Sequence, residues 1–185
     1  MADLRVSRRG VLVGAAVGGG LLVAWGLMPR TYSTPLTPVD GEYAFGAWLK
    51  IARDGVVTVA VPQLEMGQGV TTLIPQIVAM ELGADWRQVA VEPAPVSGAY
   101  ANVPLARRWA PLWMPVFPAL ADDDLLATRF AQVSRFTATA AGTTQAAYEA
   151  DCRNAAASAR AVLCMAAAER WDARWEECSA ADGFV

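Results

Sequence analysis

The sequence has 185 residues, a formal net charge of −3, and a composition that is 55% hydrophobic and 18% charged. This length suits one ordinary domain, and no basic stripe interleaved with aromatic residues follows residue 30, which argues against a nucleic-acid-binding protein. The chain contains no histidine, so Ser-His-Asp and Cys-His catalysis and histidine metal sites are excluded.

The three cysteines do not form a metal-binding pattern. Cys152, Cys164 and Cys178 contain no Cys-x-x-Cys pair, which argues against a zinc or iron–sulfur site in this chain. Their alanine-rich surroundings predict small core residues. Because the count is odd, at least one thiol is expected to be free.

Residues 1–28 have the features of an export signal. Arg8 and Arg9 form a twin-arginine pair, and an uncharged, mildly hydrophobic run from Gly10 to Met28 follows. This order is typical of proteins that reach the periplasm by the twin-arginine route. The run is also close to the ~20 residues that a membrane-spanning helix needs. Since no clear Ala-x-Ala cleavage site follows, a cleaved signal and a lasting membrane anchor both remain open.

The next segments predict a linker and two strands. Residues 29–42 contain three prolines and are predicted to be a linker, with the globular part over residues 43–185. Residues 43–52 are predicted to form one strand, and residues 53–55 a hairpin turn. The turn leads into a second, β-branched strand over residues 55–61.

Residues 62–70 form a glycine-bearing loop between this second strand and a predicted helix over residues 72–82, which ends at Gly83. The amino end of such a helix offers backbone N–H groups and a positive dipole end to an anion. The glycines on either side of Gln68 would let a phosphate approach the backbone. A Gly-x-Gly between strand and helix is also ordinary turn chemistry, so the spacing permits an anion site without requiring one.

A third strand is predicted over residues 89–92, and residues 97–125 are expected to be irregular. A loop of this length is typical of a segment that covers a cofactor or packs on a larger body. The acidic triplet at residues 122–124 is read as the solvated first turn of a helix, where acids complement the dipole, with a metal site as the alternative. The helix is expected to turn four apolar side chains inward: Leu125, Leu126, Phe130 and Val133.

Residues 137–146 carry only small side chains and Gln145. Such a segment either packs closely under another backbone or lines a ligand with hydroxyl and amide groups. A helix is predicted over residues 147–171. A turn at Asp182 and Gly183 is followed by what reads as the beginning of a strand at residues 184–185.

Taken together, these segments resemble the N-terminal part of the molybdopterin-binding large subunit of the xanthine dehydrogenase/aldehyde oxidase family. Within that family, the segments resemble exported forms of the isoquinoline 1-oxidoreductase β subunit and membrane-bound aldehyde dehydrogenase type. Four pieces carry the resemblance: the Arg8-Arg9 leader, residues 45–51 with the following Asp54-Gly55, residues 65–70, and the tail of Arg153, residues 155–160 and residues 166–171.

The resemblance implies an α+β fold that is an incomplete molybdenum-cofactor-binding domain. It also implies that two segments contact the molybdopterin cytosine dinucleotide, which would be shared with a remainder of the subunit. The matching positions are Met66, Gly67, Gln68 and Gly69 in the first segment and Ala141, Gly142, Thr143 and Thr144 in the second. Gly142 stands where the family commonly has serine, and Ala140 and Ala141 stand where it commonly has glycine.

For function, the resemblance implies oxidation of an aldehyde or N-heterocycle with water as the oxygen source. Electrons would pass to a separate two-[2Fe–2S] subunit, with a cytochrome c as a further candidate partner. The family's general-base glutamate belongs to a far C-terminal part with no counterpart here, so no catalytic residue and no metal ligand are expected in this chain, which would be inactive alone. The alternative is an exported, membrane-tethered accessory domain that binds without chemistry.

Overall fold

The computed structural model describes residues 16–22, 25, 26, 28, 30–122 and 124–185. The predicted twin-arginine pair, much of the apolar run behind it, and Asp123 of the acidic triplet lie outside these residues. Within the described part of the chain, no helix combines the length and apolarity needed to cross a membrane.

A single four-stranded sheet organises the described residues. Its strands are β1 (Glu42–Phe45), β2 (Leu49–Ala52), β3 (Val57–Val61) and β4 (Val89–Pro93), and they lie in that order. Strands β1 to β3 form an antiparallel meander, whereas β4 pairs parallel to β3. A parallel neighbour requires a crossover connection, which here contains helix α1 (Val70–Leu82).

One predicted strand over residues 43–52 is wrong, because the structure divides this segment into β1 and β2. Gly46 adopts a φ of 58°, which an extended strand does not use, and the chain reverses there. Tyr43 consequently pairs with Ile51 across the hairpin. The predicted hairpin turn before β3 and the strands over residues 57–61 and 89–93 agree with the structure.

The helices beyond β4 differ from the prediction in detail. Helices α2 (Val103–Arg108) and α3 (Ala110–Trp113) lie within the segment predicted to be irregular. Asn102 starts α2, because its side-chain oxygen accepts a hydrogen bond from the Leu105 N–H. The remaining helices are α4 (Asp124–Val133) and α5 (Thr144–Trp171), so α5 begins three residues before the predicted start.

The inward face predicted for α4 is partly wrong. Ala127 and Ala131 are its fully buried residues, whereas Leu125 and Val133 are exposed. Helix α2 packs against α4, and two helices approach closely where small side chains face each other. The predicted terminal strand is not formed either, since Ala181 and Phe184 make only an isolated bridge around the predicted turn.

The hydrophobic core lies between one face of the sheet and helices α1 and α5. The side chains that fill it come from all three: Leu49, Val57 and Val59 from the sheet, Ile74 and Val78 from α1, and Tyr148, Cys152 and Ala156 from α5. Cys152 and Cys164 are buried free thiols, which agrees with the predicted core role, whereas the prediction is wrong for Cys178, which is only partly buried. The α+β class predicted from the sequence is therefore confirmed.

An aromatic cluster locks α5 to the sheet. The centroid of the Trp48 ring lies 5.2 Å from the centroid of the Tyr100 ring and 5.3 Å from that of the Tyr148 ring. The Tyr148 hydroxyl donates to the Tyr100 carbonyl at 3.0 Å, and the Tyr100 hydroxyl donates to the Ala47 carbonyl. Burial raises the pKa of both tyrosines above the ordinary range, so both hydroxyls are protonated donors at neutral pH.

The segment predicted as a linker contacts the domain. The Arg30 N–H donates to the Gln132 side-chain oxygen at 2.9 Å, and the Gln132 amide donates back to the Arg30 carbonyl at 3.2 Å. Leu36 is buried. The Arg30 backbone is therefore tied to the Gln132 side chain of α4 by two hydrogen bonds.

We predict that Tyr148→Phe lowers the free energy of unfolding by about 1–2 kcal/mol, because it leaves the buried Tyr100 carbonyl without this donor while keeping the ring. Urea unfolding followed by tryptophan fluorescence measures the change. Tyr43→Phe, at an exposed position, is the control and should change the value little. An unchanged midpoint for Tyr148→Phe would contradict a role for the hydroxyl in holding α5.

Candidate functional site

The first predicted segment leaves the carboxyl end of β3 and enters α1. Gly67 and Gly69 adopt φ angles of 96° and 79°, in the left-handed region that favours glycine. A Cβ added at either position would meet no heavy atom within 4 Å. The sequence therefore predicted the glycine loop correctly, and one side of it is open.

The N–H groups of Gly67, Gly69 and Thr71 already have a partner within the chain, which corrects the sequence-based expectation. One Glu65 carboxylate oxygen accepts from the Gly67 and Gly69 N–H groups at 2.8 and 2.9 Å. The other accepts from the Thr71 N–H and hydroxyl at 3.1 and 2.9 Å. The chain's own carboxylate thus occupies the amino end of α1, where a negative charge is favourable.

These hydrogen bonds lower the pKa of Glu65 to about 2, and the bonds from the Gly69 and Thr71 N–H groups have the largest effect. Gln68 closes the rest of the loop. Its side-chain oxygen accepts from the Met66 N–H at 2.6 Å, and its amide donates to the Leu64 carbonyl at 2.6 Å. The amides on both sides of Gln68 are therefore satisfied within the loop.

The second predicted segment ends at the amino end of α5. Ala141 and Gly142 adopt successive left-handed φ angles of 57° and 67°, and the chain then enters the helix. The Thr143 hydroxyl bonds to the Ala140 carbonyl at 3.0 Å instead of to the helix. Among the described residues, no side chain caps this helix end and no acidic residue lies in its first turn.

Two buried amide side chains, Gln63 and Asn102, bond to the second segment. Gln63 donates to the Ala138 carbonyl at 3.0 Å and accepts from the Thr144 hydroxyl at 2.7 Å. Asn102 donates to the same carbonyl at 3.0 Å and to the Thr143 hydroxyl at 2.9 Å. Gln63 adjoins the first loop and therefore holds the second loop against it, whereas Asn102 ties the second loop to the start of α2.

A cleft of about 390 Å³ lies between the two segments, which is within the size range of small-molecule sites. Five of the eight predicted residues line it, namely Met66, Gln68, Ala141, Gly142 and Thr144. The other three do not line it: the Gly67 and Gly69 N–H groups bond to Glu65, and Thr143 is buried. The structure therefore brings together two segments that are about 70 residues apart in the sequence.

A larger groove of about 520 Å³ lies elsewhere, between the β1–β2 hairpin and the last turns of α5. Its walls are mainly apolar, and its charged lining residues are Arg53 and Asp85. It contains no helix amino end and no set of converging N–H groups. We therefore place the candidate site in the smaller cleft.

Sequence reasoning missed Gln63, Asn102 and Glu65. Glu65 had a usable signal, since an acid two residues before the first loop glycine can fold back onto the loop N–H groups. Gln63 also adjoins the loop in sequence. Asn102 had no signal for a role at this site, because its partners are 36 and 41 residues away.

Comparison with known proteins identifies the family. Residues 11–102 match the model of the molybdopterin cofactor-binding domain. The chain belongs to this molybdopterin cofactor-binding family. The matched range contains the first loop and ends before the second, so the family model itself reaches only one wall of the cleft.

Two curated relatives extend this finding. The chain is 33% identical over 184 residues, 98% of its length, to the isoquinoline 1-oxidoreductase subunit beta of Brevundimonas diminuta. It is 31% identical over 115 residues, 59% of its length, to a membrane-bound aldehyde dehydrogenase (pyrroloquinoline-quinone) of Gluconacetobacter polyoxogenes. The chain spans only 20% and 14% of the lengths of these two relatives. The family resemblance predicted from the sequence is confirmed.

The residues of the cleft fit a phosphorylated cofactor at one end. The amino end of α5 has no competing carboxylate in its first turn, whereas Glu65 already occupies the amino end of α1. A phosphate would therefore meet unopposed N–H groups only on the α5 side. The predicted contacts of the eight residues with the cofactor stay a prediction.

We predict that Ala141→Gly raises the free energy of unfolding by about 0.5–1 kcal/mol. An alanine in the left-handed region costs roughly 1–2 kcal/mol, and the added chain entropy of glycine in the unfolded state offsets part of the gain. Thermal unfolding measures the change. Ala140 lacks a positive φ, so the control Ala140→Gly should lower stability, and equal losses for both variants would show that Ala141 is not strained.

The lowered pKa of Glu65 predicts a pH dependence. A depressed pKa stabilises the fold above the ordinary glutamate value near 4.5, and this contribution disappears as the pH falls through about 2. The stability difference between the wild type and Glu65→Gln should therefore be constant from pH 7 to 5 and shrink towards pH 2. Urea unfolding at several pH values measures it. A difference independent of pH would contradict a charged Glu65 in these bonds.

Proposed function

We propose that this chain forms the N-terminal, phosphate-binding part of the large subunit of a molybdenum hydroxylase. Such an enzyme would oxidise an aldehyde or an N-heterocycle with water as the oxygen source. The observation that carries the proposal is the cleft in which the two family segments meet beside the uncapped amino end of α5. Because the chain spans a fifth or less of its relatives, the activity belongs to a longer subunit.

Within this proposal, the cofactor is a molybdopterin cytosine dinucleotide, and the chain's residues bind and orient it. The first N–H groups of α5 would hold the pyrophosphate, since a helix amino end favours anions. Met66 and Gln68 would contact the cofactor from the opposite wall. When bound, the molybdopterin supplies the redox chemistry, and we assign no proton transfer to any residue of this chain.

The location and partners follow the same proposal. The leader would direct export by the twin-arginine route to the periplasm, with residues 10–28 as a signal or membrane anchor. Electrons would leave through a two-[2Fe–2S] subunit and a cytochrome c. The names of the two relatives, a subunit beta and a membrane-bound dehydrogenase, are consistent with an assembly at the membrane.

A non-catalytic accessory domain is the second candidate, and one observation favours it. Among the described residues, no buried side-chain nitrogen or oxygen lacks a hydrogen-bond partner. A unit with satisfied buried polar groups and its own core has the features of a self-standing domain. This candidate predicts cooperative unfolding of the chain and no cofactor in any form of the protein.

Expression of the chain alone and with the coding sequence that follows it separates the two candidates. We expect equimolar molybdenum and CMP in the extended protein and only traces in the chain alone, because part of the site lies outside it. In the extended protein, Thr144→Val should lower both contents together. Thr72→Val, at an exposed α1 position outside the cleft, is the matched control.

Metal analysis and nucleotide release after acid treatment measure these contents. Equimolar molybdenum in the isolated chain would refute the need for a longer subunit. A folded extended protein without molybdenum or CMP would refute the hydroxylase and support the accessory domain.

A further inference from the structure

The amino end of α1 already carries an anion. Two oxygens of Glu65 accept hydrogen bonds from three backbone N–H groups and one hydroxyl, all between 2.8 and 3.1 Å. This is the donor set that a bound phosphate group would otherwise use at a helix amino end. The donors lie only two to six residues after Glu65 in the sequence, so the bonds form within the loop itself.

The position of Glu65 on the surface shows that core packing does not demand these bonds. Glu65 is exposed, as are Met66, Gly67 and Gln68 beside it. An exposed carboxylate normally stays solvated and contributes little through a single contact. Four simultaneous bonds from one short segment therefore indicate a specific local role.

The first consequence is electrostatic. A second anion at the α1 end would lie close to the Glu65 charge, and like charges repel each other. The adjoining crevice is also lined by Glu92, whose carboxylate is paired with Lys50 at 2.9 Å. The α1 end is therefore closed to anions by Glu65 itself.

The second consequence is conformational. The bonds to Gly67 and Gly69 fix two residues whose left-handed φ angles are costly to order, since glycine loses more chain entropy than any other residue. Fixing them also fixes the residue between, Gln68, and the neighbouring Met66. Both of these line the cleft.

We propose that Glu65 is a positioning residue that serves as an internal anion. Its carboxylate closes the amino end of α1 against phosphate and holds residues 66–71 in the shape that forms one wall of the cleft. The second part rests on the proposed function, because it assigns that wall to the cofactor. The first part does not depend on which ligand fills the cleft.

The test uses the full chain labelled with ¹⁵N, inorganic pyrophosphate as the probe, and three variants: Glu65→Ala, Glu65→Gln and Glu169→Ala. Glu169→Ala removes the same charge from an exposed position near the far end of α5 and is the control. We expect hydrogen exchange at the Gly67, Gly69 and Thr71 amides to rise about tenfold or more in Glu65→Ala. Glu65→Gln should give an intermediate rise, because it keeps one acceptor oxygen.

The pyrophosphate titration tests directly whether Glu65 keeps phosphate away from the amino end of α1. In the wild type and the control, the chemical shifts of the Gly67, Gly69 and Thr71 amides should not change as pyrophosphate is added. In Glu65→Ala, these chemical shifts should change and reach a plateau at high pyrophosphate concentration. A merely structural role would change stability but would not create this response. If Glu65→Ala does not fold, the amide exchange rates and the pyrophosphate-induced shifts of Glu65→Gln are compared with those of the wild type instead.

The outcomes are distinct. Pyrophosphate shifts at these three amides in the wild type, or unchanged exchange in Glu65→Ala, would overturn the proposal. If the α1 amides behave as expected and the amides of residues 144–146 never respond to pyrophosphate, the role of Glu65 stands and the proposed phosphate site at α5 fails.

Discussion

The candidate site depends on one buried amide. Gln63 lies at the end of β3 and bonds to a backbone carbonyl and a hydroxyl of the second loop. Without this bridge the two loops would be connected only through the core beneath them. Since a buried amide left without partners costs free energy, this contact specifically holds the second loop beside the first.

The core provides the rigid support behind that bridge. Helices α1 and α5 pack on each other and on one face of the sheet, and each helix begins at one of the two loops. Glu81, near the end of α1, pairs with Arg153 and Arg160 of α5, so the two helices run in the same direction and their amino ends lie at the same end of the domain. The two ends differ in one physical respect: an acid from the chain occupies the first, and no side chain caps the second.

Much of the fold was predictable because it follows local patterns. The β-branched run of β3 and the helical spacing of α1 identify these elements without tertiary information. The prediction failed where one residue changes the backbone direction, as Gly46 does between β1 and β2. It also failed on α4, where close packing against α2 buries alanines and leaves Leu125 exposed.

By itself, the sequence determined the α+β class, the glycine loop before α1, the small-residue loop before α5 and the family. These features depend on residue type and on spacing within short segments. Only the tertiary structure decided that the two loops share a cleft, that Gln63 joins them, and that Asn102 ties the second loop to α2. It also showed that Glu65 occupies the N–H groups which the loop pattern had left open to a ligand. The physical reason is that a hydrogen bond is set by distance and direction in space, and neither can be read from the order of the residues.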